Sequence, residues 1–382
     1  VLEHRLADPA GALAAYREII DVQADHADTV AALEGMFARD VLRAEVAATL
    51  DPLYRMSEDW EKLADLQART LDLIPDVGDR VLAMRGIAEI LEEKRGDAAG
   101  AFAWLGRAVK EAPLDDRSLS EVERLAATTG AWDDLTNVYA DVVEAETSTD
   151  EVRVAIGKRL ARVHEEERGD LASAEGAYQF VLDVAPLDAD ALEALDRLHT
   201  ASGEAEKLVV VLSRRAQIIA DPEEKVVHTL RLAAILRDDL GRVDEAVVQY
   251  RAVIEGVDAR NRASLDALEA IYTAQERWAD LYSVQERKLD AADSDEERAE
   301  TYTNMARIAE SYLGRPDDAV KLYEQVLVIR GEEAETLSAI AALHEAAGRW
   351  QDLIDVLERQ LGSESDSDRR VEIGRASCRE RV

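Results

Sequence analysis

Histidine is the natural place to look for catalysis, because its ordinary pKa lies close to neutrality and its ring both carries protons and binds metals. The chain has six: His4, His26, His164, His199, His228 and His344. Three of these share one place in a repeated pattern, since His164, His199 and His344 each precede a glycine by four or five residues. Leu91, Ala126, Leu236 and Tyr272 fill the same place elsewhere. Exchange of His with Leu, Ala and Tyr fits packing, not proton transfer. His-Glu-x-x-His, paired Cys and His, Gly-x-Ser-x-Gly and the phosphate-cradling Gly-x4-Gly-Lys-Ser/Thr are all absent from the sequence. Asp188-Ala189-Asp190 lacks the spaced oxygens, central Gly and terminal Glu of a calcium loop. It reads instead as a helix start, where Asp caps free N–H groups. No catalytic residue, cofactor or metal site is expected.

The elements that carry these residues follow from composition. Acidic residues outnumber basic ones 81 to 46, for a net charge of −35. That charge repels nucleic-acid phosphates, whose binding needs a basic face. Proline is scarce, at 7 in 382 residues, and the apolar residues recur at helical spacing, so the chain is expected to be almost wholly α-helical. No stretch reaches the roughly 18 continuous apolar residues of a membrane span. Val1 in place of Met leads us to expect that the natural N-terminus is missing. The last eleven residues, Glu372 to Val382, read EIGRASCRERV and resemble an in-frame translation of a common sequencing adapter. They also break the repeat, placing Gly374 and Ser377 where Tyr302 and Met305 stand one unit earlier. This tail, with the lone Cys378, is expected to be non-native.

A 72–73-residue unit organises the rest. Trp60, Trp132, Ala205, Trp278 and Trp350 open the same phrase, and Gly96, Gly169, Gly241 and Gly314 keep the same beat. Such a period marks a stacked solenoid, in which each unit buries its apolar face against its neighbours. The unit from Trp278 predicts four helices: Trp278–Ala291, Ser294 to Leu313, Pro316–Ile329 and Glu333–Ala347. A capping box, Ser294 with Glu297, starts the second, and Gly314 ends it. Ser148 with Glu151, and Asp221-Pro222 with Glu224, are the expected caps of earlier units. About 16 extra residues, Arg39 to Met56, carry Leu42, Val46, Leu50, Leu53 and Tyr54 as a helical stripe and predict an inserted helix. With no Ser/Gly/Pro-rich linker, residues 1–371 are expected to form one elongated domain and 372–382 a tail.

The second and third helices of each unit resemble the tetratricopeptide repeat (TPR). Ala101, Ala174, Ala246 and Ala319 stand at the small crossing position, and Leu105, Tyr178, Tyr250 and Tyr323 follow four residues later. Pro113 and Pro186 match the pattern's late proline, whereas Asp258 and Gly331 depart from it. The alternate hairpin has Leu63, Leu135, Leu208, Leu281 and Leu353 where alanine is usual, which marks a divergent, bacterial-type long array. The resemblance implies an all-α, TPR-like α-solenoid: a right-handed superhelix of about eight or nine antiparallel helix hairpins. It implies that the repeated tryptophans pack against the preceding helix. Trp104, outside that register, is either an interface anchor or a variant core contact.

In TPR proteins the first helix of each hairpin lines the concave groove. Carried over here, one groove position reads Glu89, Arg124, Arg162, Arg197, Ala234, Ala270, Arg307 and Ala342. One turn earlier stand Arg85, Ser120, Lys158 and Glu193, and Arg117 lies close by. Arg85, Arg117, Arg124, Lys158, Arg162 and Arg197 thus form a basic strip expected to hold an acidic peptide or a chain-terminal carboxylate, which the guanidinium fork suits. The opposing expectation is that Glu89, Glu121, Glu165 and Glu193 neutralise the strip as ordinary ion pairs. The implied function is a non-catalytic scaffold or adaptor that binds polypeptide in its groove. The alternative is a regulatory or docking arm of a larger protein whose catalytic domain lies elsewhere. A nucleic-acid-binding repeat is disfavoured by the acidity.

Overall fold

The computed structural model describes residues 8–363 together with Val371 and Ile373. The remainder of the adapter-like tail, Cys378 included, lies outside the described residues, as does His4. Among the described residues the ordered elements are helices without strands. They fall into two compact units, Val1–Leu198 and His199–Val382.

The first unit opens with α1 (Pro9–Val22), α2 (Ala27–Ala38) and α3 (Arg43–Met56). The last of these is the predicted insertion, and Val46, Leu50, Leu53 and Tyr54 are all buried in it. Two full repeats come next: α4 (Trp60–Thr70), α5 (Val77–Glu89), α6 (Ala98–Glu111) and α7 (Asp116–Thr129), then α8 (Trp132–Glu144), α9 (Asp150–Arg162), α10 (Leu171–Val184) and α11 (Ala189–Ser202). The second unit contains α12 (Ala205–Ile218), α13 (Pro222–Asp238), α14 (Val243–Gly256), α15 (Arg262–Ala274), α16 (Trp278–Ala291), α17 (Asp295–Ser311), α18 (Pro316–Arg330), α19 (Ala334–Ala346) and α20 (Trp350–Ser363). Within each unit, helices pack chiefly on their immediate chain neighbours. That is the pattern short connections impose on antiparallel hairpins.

The repeated small residue is what lets the paired helices approach. Ala101, Ala174, Ala246 and Ala319 are each 0% exposed, and Leu105, Tyr178, Tyr250 and Tyr323 are buried beside them. Crowding is tighter still at Gly157, where an added Cβ would lie 2.9 Å from a Val181 methyl. Gly96, Gly169, Gly241 and Gly314 adopt φ between 63° and 66°, the left-handed region that glycine enters without steric cost. At each, the next residue's N–H reaches back six residues, as in Asp97 to the Leu91 carbonyl at 2.8 Å. This bond, one residue wider than the 6→1 bond of the usual glycine cap, satisfies a carbonyl that the helix end would leave bare.

The caps agree with the sequence reading with one exception. Asp221 accepts from the Glu224 N–H at 2.9 Å, and Ser294 from the Glu297 N–H at 3.1 Å. Glu297 in return accepts from the backbone N–H of Asp293 at 2.9 Å. The cap expected at Ser148 is supplied by Thr149, which accepts from Val152. The Ser148 hydroxyl instead donates to the Val142 carbonyl, so the start moves one residue along. The tryptophans also make contacts further along the chain. Trp278 stacks at 3.7 Å on Tyr312, downstream of α16, and Trp60 lies under the Lys94 ammonium, likewise downstream. Trp104 packs against the core cluster and carries the Arg107 guanidinium over its ring at 4.0 Å.

Candidate functional site

Ion pairs join the second and fourth helices of the repeats and place them side by side in the first unit. Arg85 of α5 meets Asp115, the cap of α7, at 3.2 Å. Arg159 of α9 meets Glu123 of α7 at 2.8 Å. Lys158 of α9 meets Asp188 at 3.2 Å and Asp190 at 2.8 Å, where α11 begins. Every one of these contacts spans about one hairpin, so α5, α7, α9 and α11 present one continuous face.

The strongest contacts on that face are two repeats of one arrangement. Arg124 grips Glu92 with both guanidinium nitrogens, at 2.7 and 2.6 Å. Arg197, 73 residues on, holds Glu165 at 2.8 Å. Glu92 and Glu165, also 73 apart, sit in the two wide π-helical turns that end α5 and α9, Ile90–Lys94 and Val163–Glu167. A π-turn holds one extra residue and shifts the register of the side chains beyond it, so such turns recur where a side chain must be redirected. Charge-assisted forks are the strong class of hydrogen bond. The Arg124 bonds accordingly hold Glu92 below its ordinary carboxylate range. Glu165 also accepts from the Tyr178 hydroxyl at 3.1 Å. Burial first, and then Glu165, push that phenol up to about 12.

The six residues of the expected strip are therefore not alike. Arg85, Arg124, Lys158 and Arg197 are engaged by acids of the adjacent hairpin, and Arg117 by Glu121 within its own helix at 2.9 Å. Arg162 is exposed and makes no hydrogen bond or ion pair among the described residues. It lines one hollow with Arg124, Arg159 and Trp132 and with the acids Glu123, Glu166 and Glu167. Of the expected neutralising acids, Glu121 and Glu165 serve. Glu92, Asp115, Asp188 and Asp190 were not foreseen, although subtracting one period from Glu165 points to Glu92. Arg159 and Glu123 were also missed; their signal was their place three and one residues before the rung residues Arg162 and Arg124.

The second unit keeps the frame and changes the face. Ala270 and Ala342 stand where Arg124 and Arg197 stand, and Arg237 and Glu310 stand where Glu92 and Glu165 stand. One hollow lies between α15, α16 and α17 and holds Asp266, Glu269, Glu297 and Glu300 with Arg262 and Lys288. Arg262 bridges Glu297 at 2.9 Å and Asp293 at 2.8 Å, and Lys288 bonds Asp266 and Glu269. The Arg262 bond lowers the Glu297 pKa to about 2.

The three histidines of the repeated position belong to the packing. His199 and His344 are buried, and His164 is half-buried with Nδ1 3.0 Å from the Arg168 guanidinium. Burial first, and then Arg168, lower the His164 pKa. No helix of the described residues is long and apolar enough to cross a membrane.

The tetratricopeptide repeat model matches residues 264–300, 301–335 and 336–371. Cellulose synthase operon protein C of Xanthomonas axonopodis pv. citri (strain 306) is 25% identical over 315 residues, 82% of this chain. The chain spans 18% of that relative's length. Among solved structures, the P58(IPK) TPR domain is 14% identical, with 88% of this chain and 97% of that one covered and a TM-score of 0.24. Yeast Tom70 is 10% identical, with 99% and 96% covered and a TM-score of 0.27.

Proposed function

We propose that this chain, whose residues 264–371 match the tetratricopeptide repeat, is a non-catalytic adaptor that binds polypeptide along the face made by α5, α7, α9 and α11. The ligand is an extended acidic segment or a chain-terminal carboxylate. One observation carries the reading: Arg124, Arg162 and Arg197 occupy the same rung of three successive hairpins in a chain of net charge −35. A random scatter of so few cations over so acidic a surface does not produce such a row. Arginine suits the task because its planar fork meets a carboxylate at two points and keeps its charge at every physiological pH. The walls of the hollow add Trp132 and Val163 as apolar surface for a side chain next to the carboxylate.

The test is a binding titration of the full chain with a fluorescent hexaglutamate peptide bearing a free C-terminus. Binding should weaken as salt rises, since partly exposed charges are screened. It should be lost in the R124E/R162E/R197E variant. Undiminished binding by that variant removes the reading.

A second reading is favoured by the length of the relative. Since the chain spans 18% of it, these repeats serve as the docking arm of a larger protein. Sequencing the gene on both sides tests this. A catalytic domain in the same open reading frame supports the arm, and further repeats alone support a free-standing adaptor.

A further inference from the structure

Two of the three rung arginines are already holding carboxylates, Arg124 through both terminal nitrogens and Arg197 through Nη2 alone. Arg124 with Glu92 and Arg197 with Glu165 are copies of one device, 73 residues apart in both members. Each acid sits in a π-turn at the end of the helix one hairpin earlier. Neither arginine is buried by its pairing: the Arg124 and Arg197 side chains remain 51% and 63% exposed. The acids are the more sheltered members, at 29% and 12%. The chain thus presents to solvent the outward edge of a guanidinium whose inner edge is occupied by its own acid. Between the two clamps, Arg162 has no such acid. It shares the Arg124 hollow, and its charge, like that of Arg197, acts on the Tyr178 phenol.

We propose that Glu92 and Glu165 are built-in competitors for the groove: an incoming carboxylate makes first contact at Arg162 and then takes Arg124 and Arg197 by displacing them. This rests on the reading of the face as a carboxylate-binding groove and names how that groove is regulated. The exchange follows from the chemistry of the fork. Arg124, which gives both terminal nitrogens to Glu92, has its fork filled, and Arg197 has Nη2 held by both oxygens of Glu165. A second carboxylate gains the full two-point contact only where the first withdraws. The resident acids therefore set a threshold. A single carboxylate gains Arg162 alone, whereas an extended acidic chain reaches all three rungs and exchanges both clamps. Selection for a row of carboxylates over an isolated one is the result.

Glutamine tests this, since E92Q and E165Q keep the size and one acceptor oxygen of each side chain and remove the charge. Fluorescence anisotropy would follow the hexaglutamate probe binding to wild type, E92Q, E92Q/E165Q and R124E/R162E/R197E, with hexaglutamine as the uncharged control. E92Q/E165Q should bind hexaglutamate about five- to tenfold tighter than wild type, and E92Q alone by a smaller factor, with no gain for hexaglutamine. Equal or weaker binding by both Gln variants, with circular dichroism showing intact helices, overturns the exchange. An equal gain for hexaglutamine also overturns it, because general loosening then explains the effect. The underlying reading fails separately, through binding by the triple Glu variant that matches wild type. Hexaglutamate binding by neither wild type nor the Gln variants overturns both.

Discussion

The two units share a skeleton and differ on the face it presents. Alanine at the helix crossing is 0% exposed in both, at Ala101 and Ala174 in the first and at Ala246 and Ala319 in the second. At the rung, the first unit has Arg124 and Arg197 and the second has Ala270 and Ala342. Of the acids that would receive them one is lost and one kept, with Arg237 in place of Glu92 and Glu310 in place of Glu165. Core positions are pinned because close-packed interiors penalise a change of even one methylene. Rung positions face solvent, where substitution costs little, so each repeat is free to differ there. A repeat protein of this kind therefore keeps its stability in the period and its selectivity in departures from it.

The largest expected effect tests whether the skeleton is local. Leu135 is fully buried, and L135A should destabilise by about 2–5 kcal/mol. Hydrogen exchange should accelerate most in α7 to α9 and least in α17 to α20, because a stacked array transmits stability between neighbours. Equal acceleration throughout would show that the units do not respond separately. A smaller loss is expected at Tyr139, whose buried hydroxyl donates to Glu123 at 2.6 Å. The second unit places Gln285 in that role, donating to Glu269 at 2.8 Å. Y139F should cost about 1 kcal/mol in chemical denaturation, since Glu123 keeps its Arg159 partner. The clamps themselves should contribute less. E92Q and E165Q should each lower stability by at most about 1 kcal/mol, because one partner is half exposed and screened.

Transplanting the rung sharpens the contrast. Ala342→Arg would stand two periods beyond Arg197, opposite Glu310, and should add up to about 0.5 kcal/mol in thermal or chemical melts. Ala270→Arg would instead face Arg237 and should lose about as much. Equal effects from the two would mean that the register does not bring these positions together. The smallest effect is a pH dependence in the second unit. Glu297 ionises near pH 2 in the folded chain against an ordinary 4.5. A lowered carboxylate pKa stabilises the fold above the unfolded value and ceases to do so as pH falls through the folded one. Melting curves of E297Q and wild type should differ above pH 4.5 and converge as pH falls towards about 2.

Most of the helical frame was legible without coordinates. Trp278–Ala291 matches its prediction at both ends. The neighbouring helices agree within two residues because capping residues and glycine act locally. Where reading failed, the cause was a choice between equivalent local partners. Ser148 and Thr149 each offer a hydroxyl, and only the chain's path in space selects Thr149. A long-range contact of a tryptophan was likewise beyond local reading. The period of the tryptophans marks them as structural, but the ring stacked on Trp278 is that of Tyr312, 34 residues away.

The amino-acid sequence by itself determined the period, the helices, the buried alanines and the identity of the rung residues, since all of these follow from spacing along one chain. The partner of each charge was decided only in the tertiary structure. Coulomb energy and fork geometry depend on distances across hairpins, and a π-turn that re-aims one glutamate changes which of several nearby acids an arginine meets. Glu92, not Glu89, holds Arg124 for that reason.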